Sequence, residues 1–395
     1  MEVKWSQCQL VYTGLSELYR DQENPSTCYK KISKTSLPPP HNSQKELYFL
    51  KKLNTNGKAN THIVQLLNYI EDEVTDSVDP FYVFKFKYYQ VSFDEYLLQY
   101  WKPKKPTLIA NDERSTKPKR KKFTFSADGT MQLQAPVSEP SACNNHPIFV
   151  NTMTEKMAID LFYQIVDGLE FIHANKIIHR DIKPQNILVA ENGTLKIIDF
   201  DISYDVEHNN GPTEPDFTKK ITDVSTSIYK APELLFGVGN YDYGIDIWSL
   251  MVVLQHFALA EYMPAKDAQG TGQDIERLSR LKLPCKIDNG MEINYTKNFI
   301  VHGGSDIRLI TSIFETFGIP SLEKWPTVSK YGSETFEYMF SAEGDPLYLE
   351  KIDFNSLFPV FSPNLVKECI APMCVIEQTD RITSAELKKR LKMHI

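Results

Sequence analysis

Two polar clusters, each placed directly after an apolar run, constrain this chain of 395 residues more than any other feature. The first lies in "KIIHRDIKPQNILV" at residues 176–189, and the second lies in "LKIIDFDISYD" at residues 195–205. Short apolar runs of this kind are typical of buried strands, which would anchor the polar residues beside them. Anchored in this way, Asp181 and Asn186 are expected to be held in fixed geometry.

These side chains suit the transfer of a phosphoryl group from ATP. That reaction needs metal ions and cations to neutralise the phosphates, and a carboxylate to orient the attacking hydroxyl. Asp181 is the candidate base, and Asn186 and Asp199 are the candidate ligands of Mg²⁺. "YKAPE" at residues 229–233 follows these two clusters in the expected order and at a plausible separation. Four fixed positions of such a motif would be matched by chance on the order of once in 10⁵ windows, so coincidence does not explain the whole set of motifs.

In order and spacing these motifs resemble those of eukaryotic protein kinases, and the resemblance extends along essentially the whole chain. It implies an α+β, bilobal protein kinase fold. The small β-rich lobe and the hinge would occupy residues 1–88, and the larger, mainly helical lobe would occupy residues 89–395. The resemblance also implies that the chain uses ATP and Mg²⁺.

The resemblance gives further residues a role. Lys183, two residues after Asp181, is similar to the catalytic-loop lysine of serine/threonine kinases. Thr226 stands where those kinases place a threonine that bonds the catalytic aspartate and lysine; a buried turn residue is the alternative. Arg381 in "TDRITSAEL" is expected to pair with Glu233, and that pair would be structural.

The amino-terminal part is expected to supply a lysine for the phosphates and its partner. Lys30 in "CYK" is the predicted lysine. Lys31 is the alternative, but strand alternation would point it to the other face. Glu46 in "SQKELYFL" is the predicted partner on a helix, although an ordinary exposed carboxylate would give the same pattern.

The hinge is expected in "FYVFKFKYY" at residues 81–89. There Phe84 resembles the gatekeeper residue of the family, at the inner end of the nucleotide pocket. Lys85 and Lys87 bound the segment whose backbone groups would meet adenine. Both lysines are therefore predicted to bind the cofactor through the main chain.

Two positions depart from the family pattern. The glycine-rich loop is missing, because "LVYTGLSELYRD" places Val11, Thr13 and Ser16 where glycines belong. Val11 and Thr13 remain predicted cofactor contacts, but the cover over the phosphates should be weaker, since glycine lets backbone amides approach closely. Asp201 replaces the glycine that follows Asp-Phe. Aspartate tolerates left-handed backbone angles better than most residues, so we expect the replacement of glycine to disturb the backbone at this position only mildly.

One group that also lacks the glycine-rich loop is the monomeric CDK-activating kinases of budding yeasts. "LPPPHN", "TDVSTSIYKAPELLFGV" and "SDIRLITSIFETFGIPSLEKW" are similar to that group, as is the long insert before the catalytic loop. The resemblance implies transfer of the ATP γ-phosphate to the activating threonine of cyclin-dependent kinases, by a single chain with no obligate cyclin. A cyclin-dependent kinase itself and an inactive pseudokinase that scaffolds cell-cycle kinases are the alternatives.

The activation segment, between Asp199 and Glu233, carries its own negative charge. Arg180 could bind a phosphate on this segment, and Thr222 is a possible acceptor. Glu214, Asp216 and Asp223 already supply carboxylates there. We therefore expect activity without an activating phosphorylation.

Composition excludes several other classes. The formal net charge of -7 and a pI near 5.8 argue against nucleic acid as a partner. The 6 cysteines are scattered and form no zinc or disulfide framework. No signal peptide, membrane span or lipidation motif is visible, so we expect a cytoplasmic protein, with the nucleus as a further site.

Two polar stretches are expected to be inserts, near residues 101–150 and 261–304. The first includes "KPKRKK" at residues 117–122, which is either a nuclear-localisation or docking patch or a solvated loop. "IDIWSLMVVLQHFALAEY" is apolar nearly all round and predicts a helix inside the core.

Overall fold

A computed structural model describes residues 3–54, 60–72, 79–103, 123–125, 131–133, 149–208, 214, 218–259, 261–262, 305–340, 343–345, 348–350 and 352–395. The strands are β1 (Cys8–Thr13), β2 (Ser16–Asp21), β3 (Thr27–Ser33), β4 (Asn68–Glu71), β5 (Phe81–Lys87), β6 (Val91–Ser92), β7 (Trp101–Pro103), β8 (Phe123–Phe125), β9 (Met131–Leu133), β10 (Phe149–Asn151), β11 (Ile177–Ile178), β12 (Ile187–Val189), β13 (Leu195–Ile197), β14 (Tyr204–Asp205) and β15 (Glu261–Tyr262). The helices are α1 (Ser43–Asn54), α2 (Phe93–Leu98), α3 (Glu155–Ala174), α4 (Pro232–Leu235), α5 (Gly244–Ala258), α6 (Asp306–Phe317), α7 (Pro326–Tyr331), α8 (Thr335–Met339), α9 (Phe354–Leu357), α10 (Pro363–Leu365) and α11 (Ser384–Leu391).

The amino-terminal part is an antiparallel sheet with one helix. Five strands lie in the order β1-β2-β3-β5-β4. The sequence pattern predicts strands in "CQLVYT", "SELYRD", "TCYKKIS" and "HIVQLLNYIED" and a helix in "SQKELYFLKKLN", and the bounds of the first three strands and of α1 are confirmed. Leu47, Leu50 and Leu53 of α1 are buried, because their three-residue spacing places them on one face of the helix. In "HIVQLLNYIED", however, only Asn68–Glu71 forms a strand.

The carboxy-terminal part is mainly helical and is built around α5. Every residue of α5 is buried, which confirms the prediction from its uniformly apolar sequence. Helix α3 packs against α11 and places its buried face, including Leu161, Ile165 and Leu169, towards the core. In the described part of the chain, no helix is long and apolar enough to cross a membrane.

Helix α5 also supports the loop between β11 and β12. The buried carboxylate of Asp246 accepts hydrogen bonds from the backbone N–H groups of His179 (2.7 Å) and Arg180 (2.8 Å). Its Oδ2 atom also lies 3.0 Å from Nε2 of His173 on α3. The loop between β11 and β12 is therefore held in place by a buried carboxylate of α5.

The first predicted insert is not wholly irregular. Strands β7, β10 and β15 form a three-stranded sheet, and β8 pairs with β9. The basic run at residues 117–122 lies outside the described residues, as does the second insert apart from Glu261–Tyr262.

The predicted pair of Glu233 and Arg381 is confirmed. Both guanidinium NH₂ groups of Arg381 donate to the Glu233 carboxylate, at 2.8 and 3.1 Å. Its remaining hydrogens are donated to carbonyl oxygens, including that of Gly244 (2.7 Å). Both side chains are fully buried, so the pair joins the start of α4 to the segment before α11.

Arg381→Met should destabilise the chain by about 3–5 kcal/mol, because it leaves the Glu233 carboxylate buried without its cation. Equilibrium unfolding in urea would measure the loss. Arg390→Met is the matched control: its ion pair with Glu386 is partly exposed to solvent and should contribute less than about 1 kcal/mol. Equal losses in the two variants would contradict this account.

Candidate active site

A cleft of about 770 Å³ opens between the amino-terminal sheet and the helical part. Apolar side chains line one end, among them Phe86 and Leu188, whereas Lys30 and Asp199 line the other. A pocket of this size with one apolar and one charged end suits a small polar ligand that carries an aromatic group.

Lys30 lies at the centre of the charged end. Its Nζ atom donates to Glu46 Oε1 (2.7 Å) and to Asp199 Oδ1 (2.8 Å). Lys31 points to the opposite face, where its Nζ atom lies 3.7 Å from Glu17 and over the ring of Phe81. The structure thus places Lys30, and not Lys31, in the cleft, as strand alternation requires.

The pKa shifts of this cluster follow from burial and charge. Burial favours a higher pKa for Asp199, but the ammonium of Lys30 outweighs it and holds that pKa below its ordinary value. Burial likewise disfavours the charged form of Lys30, but Asp199 and Glu46 raise the pKa of the ammonium. Burial raises the pKa of Glu46, whose Oε2 atom has no hydrogen-bond partner within the described residues.

The loop after β11 brings a second polar group to the cleft. Asp181 Oδ2 accepts from Lys183 Nζ (2.7 Å) and Asn186 Nδ2 (2.8 Å). Asp181 Oδ1 accepts from the hydroxyl of Thr226 (2.8 Å), which in turn accepts from Lys183 Nζ (2.7 Å). The predicted residues Asp181, Lys183, Asn186 and Thr226 therefore form one hydrogen-bonded unit.

The residues of the cleft fit ATP and Mg²⁺. Asn186 donates its amide hydrogens to Asp181, which leaves its side-chain carbonyl oxygen as the atom that would bind a metal ion. Asp199 adds a carboxylate, and oxygen ligands are those that Mg²⁺ prefers. Cys28 lines the apolar end, and burial raises the pKa of its thiol to about 12, so it acts as a small apolar side chain.

The first hairpin differs from the prediction at one of two residues. Val11 lines the cleft, but Tyr12 lines it instead of Thr13. The reason is a register shift in β1: Leu10 pairs with Tyr19 and Tyr12 with Leu18, so the extra residue reverses the alternation. Bulges of this kind are not visible in an alternating pattern of apolar residues.

Tyr12 also explains the one glycine of the hairpin. A Cβ atom at Gly14 would lie 2.5 Å from the hydroxyl of Tyr12. Gly14 thus leaves room for the tyrosine ring.

The hinge residues are placed as follows. Phe84 shares the face of Lys30 but is fully buried behind the cleft wall, stacked on Tyr82 at a ring distance of 5.7 Å. Phe86, two residues on, lines the wall instead, and alternation along β5 could have identified it. Lys87 lines the cleft, whereas the carbonyl of Lys85 already accepts from Leu67 N (2.9 Å).

The backbone of Asp201 does not need the left-handed angle that glycine would permit at this position. The left-handed angle falls at Asp199, with φ of 69°, and Asp201 does not share it. The side chain of Asp201 is 5% exposed, and its Oδ2 atom lies 2.6 Å from Nδ1 of His41, just before α1. Aspartate at this position is therefore explained by a side-chain contact, which the sequence pattern alone could not indicate.

The carboxylate of Glu214 binds the guanidinium group of Arg180. Arg180 Nη1 and Nη2 donate to its two carboxylate oxygens at 2.5 and 3.0 Å, and both side chains are fully buried. Asp223, in contrast, is exposed and pairs with Lys230 (3.0 Å), and Asp216 lies outside the described residues. A carboxylate thus takes the position in which a phosphate on the activation segment would bind Arg180.

Glu214→Gln should lower the free energy of unfolding by about 3 kcal/mol, because Arg180 then lacks a buried counter-charge. Burial favours a higher pKa for Glu214, but Arg180 outweighs it and lowers that pKa from 4.5 to about 2. A lowered native pKa stabilises the fold above the ordinary pKa, and this stabilisation is lost as the pH falls towards the native pKa.

The difference between the parent chain and Glu214→Gln should therefore stay constant from about pH 6 to about pH 8 and shrink below the ordinary pKa. Urea unfolding at a series of pH values measures it. A difference that changes around pH 6, where a phosphate titrates, would contradict the assignment of Glu214.

Comparison with known proteins agrees with this geometry. The family described as "Protein kinase domain" matches residues 125–391, so the match begins after the glycine-poor hairpin and the first sheet. The serine/threonine-protein kinase CAK1 of Saccharomyces cerevisiae is 34% identical over 349 residues, which cover 87% of this chain and 81% of that protein.

Two further similarities are more distant. Cyclin-dependent kinase 7 of Carassius auratus is 31% identical over 191 residues, or 46% of this chain and 43% of that protein. A chain in the structure of the CAK complex of Chaetomium thermophilum bound to ATP-gamma-S superposes with a TM-score of 0.58 and 19% identity, over 96% of this chain and 88% of that chain. This last likeness concerns the fold alone. From the matched length, the identity and the fold, the chain belongs to the protein kinase family, among serine/threonine kinases.

Proposed function

We propose that the chain transfers the γ-phosphate of ATP to the activating threonine of cyclin-dependent kinases, and that it acts as a single chain without a cyclin. The main support is the complete set of charged groups at the cleft. Lys30 is held between Glu46 and Asp199, and Asp181 faces the same space with its three hydrogen-bond donors. Similarity to CAK1 and to cyclin-dependent kinase 7 supports this choice of substrate.

Asp181 is the proposed base. Hydrogen bonds from Lys183, Asn186 and Thr226 reach both of its oxygens and fix the plane of the carboxylate. A carboxylate fixed in this way orients the attacking hydroxyl of the substrate threonine and accepts its proton as the bond to phosphorus forms. Orientation of reacting groups supplies a large part of the rate of such enzymes.

Lys30, Asn186 and Asp199 are proposed to hold the phosphates and Mg²⁺. When bound, the metal ion neutralises charge on the phosphates. Lys30 adds a cation that its two carboxylate partners keep protonated and in place. Preorganised charge in a partly buried cleft acts more strongly than the same charge in water.

One observation favours the pseudokinase alternative. Val11 and Thr13 stand where the family has glycines and Tyr12 lines the cleft beside them, so the backbone N–H groups of the hairpin approach the phosphates less closely. We still favour catalysis, because the base, the lysine and both metal-binding side chains converge on one cleft. A chain that binds nucleotide without transfer would select the pseudokinase.

Asp181→Asn should lower phosphate transfer by about 10²-fold or more, because the amide cannot accept the proton. The assay is transfer from Mg-ATP to a catalytically inactive, cyclin-free cyclin-dependent kinase, with the modified threonine located by mass spectrometry. Asp160→Asn, an exposed carboxylate of α3, is the control and should leave the rate unchanged. Absence of transfer by the parent chain, with nucleotide still bound, would refute the proposed activity.

Lys30→Met and Lys31→Met form a matched pair in one strand. Lys30→Met should reduce transfer by about 10²-fold, because the phosphates lose their fixed cation. Lys31→Met should change it by less than about twofold, since that side chain is solvent-facing. Single-turnover rates would measure both, and equal losses would contradict the assignment of Lys30.

A further inference from the structure

Helix α1 is attached to the helical part at three points along one side. His41, Lys45, Tyr48 and Lys52 are spaced by three or four residues, which places them on one stripe of the helix and of the turn before it. Each contacts one of three acidic residues, Asp201, Asp205 and Glu214, called the acidic row below. All three members of the row are buried, at 5%, 1% and 1% exposure respectively.

The first attachment is at the beginning of the helix. Asp201 Oδ2 lies 2.6 Å from His41 Nδ1, and the Asp201 carbonyl accepts from Asn42 N (3.1 Å). Asn42 in turn accepts from Lys45 N at 2.9 Å through its side chain. A carboxylate at the start of a helix also interacts favourably with the helix dipole.

The second attachment is at Lys45, in the first turn of α1. Lys45 Nζ donates to Glu214 Oε2 (3.0 Å), the same carboxylate that binds Arg180 of the catalytic loop. One buried carboxylate therefore joins α1, the activation segment and the residue next to Asp181. Charge-assisted hydrogen bonds of this kind are about twice as strong as neutral ones.

The third attachment is one to two turns further along. Asp205 Oδ2 accepts from the hydroxyl of Tyr48 (2.7 Å) and from Lys52 Nζ (2.6 Å). Asp205 belongs to β14, which pairs with β11 directly before the catalytic loop. The far part of α1 is thus tied to the same loop from another direction.

The consequence concerns Glu46, which lies between the first and last attachments on α1. In this placement of the helix its Oε1 atom accepts from Lys30 Nζ at 2.7 Å. We propose that the acidic row is a set of positioning residues that keeps α1 in place from within the chain, so that Lys30 and Glu46 remain paired without a partner subunit. The proposal rests on the proposed single-chain activity.

This proposal also accounts for Asp201. A glycine at that position would keep the backbone bond to Asn42 but could not reach His41. The residue that departs from the family pattern is therefore one that adds an attachment for α1.

The test uses the full chain with Lys45→Met, Tyr48→Phe and Asp201→Gly, singly and combined. Hydrogen exchange is followed in residues 43–54 and, as an internal reference, in residues 155–174. We expect exchange in α1 to rise by about tenfold or more for each lost charge-assisted contact, with the reference unchanged. Lys51→Met, on the same helix but donating to Tyr69 of β4, should leave α1 exchange and activity unchanged.

Turnover of Mg-ATP gives the second readout, with a short peptide as acceptor so that it does not depend on the proposed protein substrate. The KM for ATP should rise and kcat fall in Lys45→Met by about tenfold together, and Lys45→Arg should restore both. Equal exchange in α1 of all variants, or a rise that appears equally in residues 155–174, would overturn the proposal. Failure to modify cyclin-dependent kinases with these results intact would reject only the proposed substrate.

Discussion

The buried guanidinium of Arg180 is the interaction on which the rest of the site depends. It donates to the carbonyl oxygens of Ile202 and Ser203, to the hydroxyl of Tyr241 and to both oxygens of Glu214. A fully buried cation is tolerated only when its donors are satisfied and its charge is paired. Because Arg180 directly precedes Asp181, the demand for those partners fixes the base together with the segment that follows Asp199.

The buried counter-charge of Arg180 also makes a contact with the amino-terminal part of the chain. Glu214 shares its carboxylate between Arg180 and Lys45, so the catalytic loop and α1 are coupled through one residue. Lys30 makes a second link of this kind, because it bridges Glu46 and Asp199. Such pairs act more strongly in a low-dielectric interior than they would in water.

Much of the site could be predicted from the sequence because its signals are local. Asp181, Lys183 and Asn186 lie within six residues on one loop, and strand alternation separates Lys30 from Lys31. Two of the predicted cofactor contacts, Thr13 and Phe84, are not among the residues that line the cleft. A bulge in β1 turned Tyr12 instead of Thr13 to the cleft, and Phe84 lies behind the wall that Phe86 lines.

The sequence by itself determined the family, the loop that carries Asp181 and Asn186, and the buried helix α5, since each depends on residue type and spacing over a short stretch. Only the tertiary structure decided what Asp201 and Glu214 do, because their partners lie 160 residues away at His41 and 169 residues away at Lys45. A carboxylate has the same appearance in a sequence whether it is solvated or holds a helix. Which of the two it does is set by the cations that folding brings within hydrogen-bond distance and by the water that burial removes.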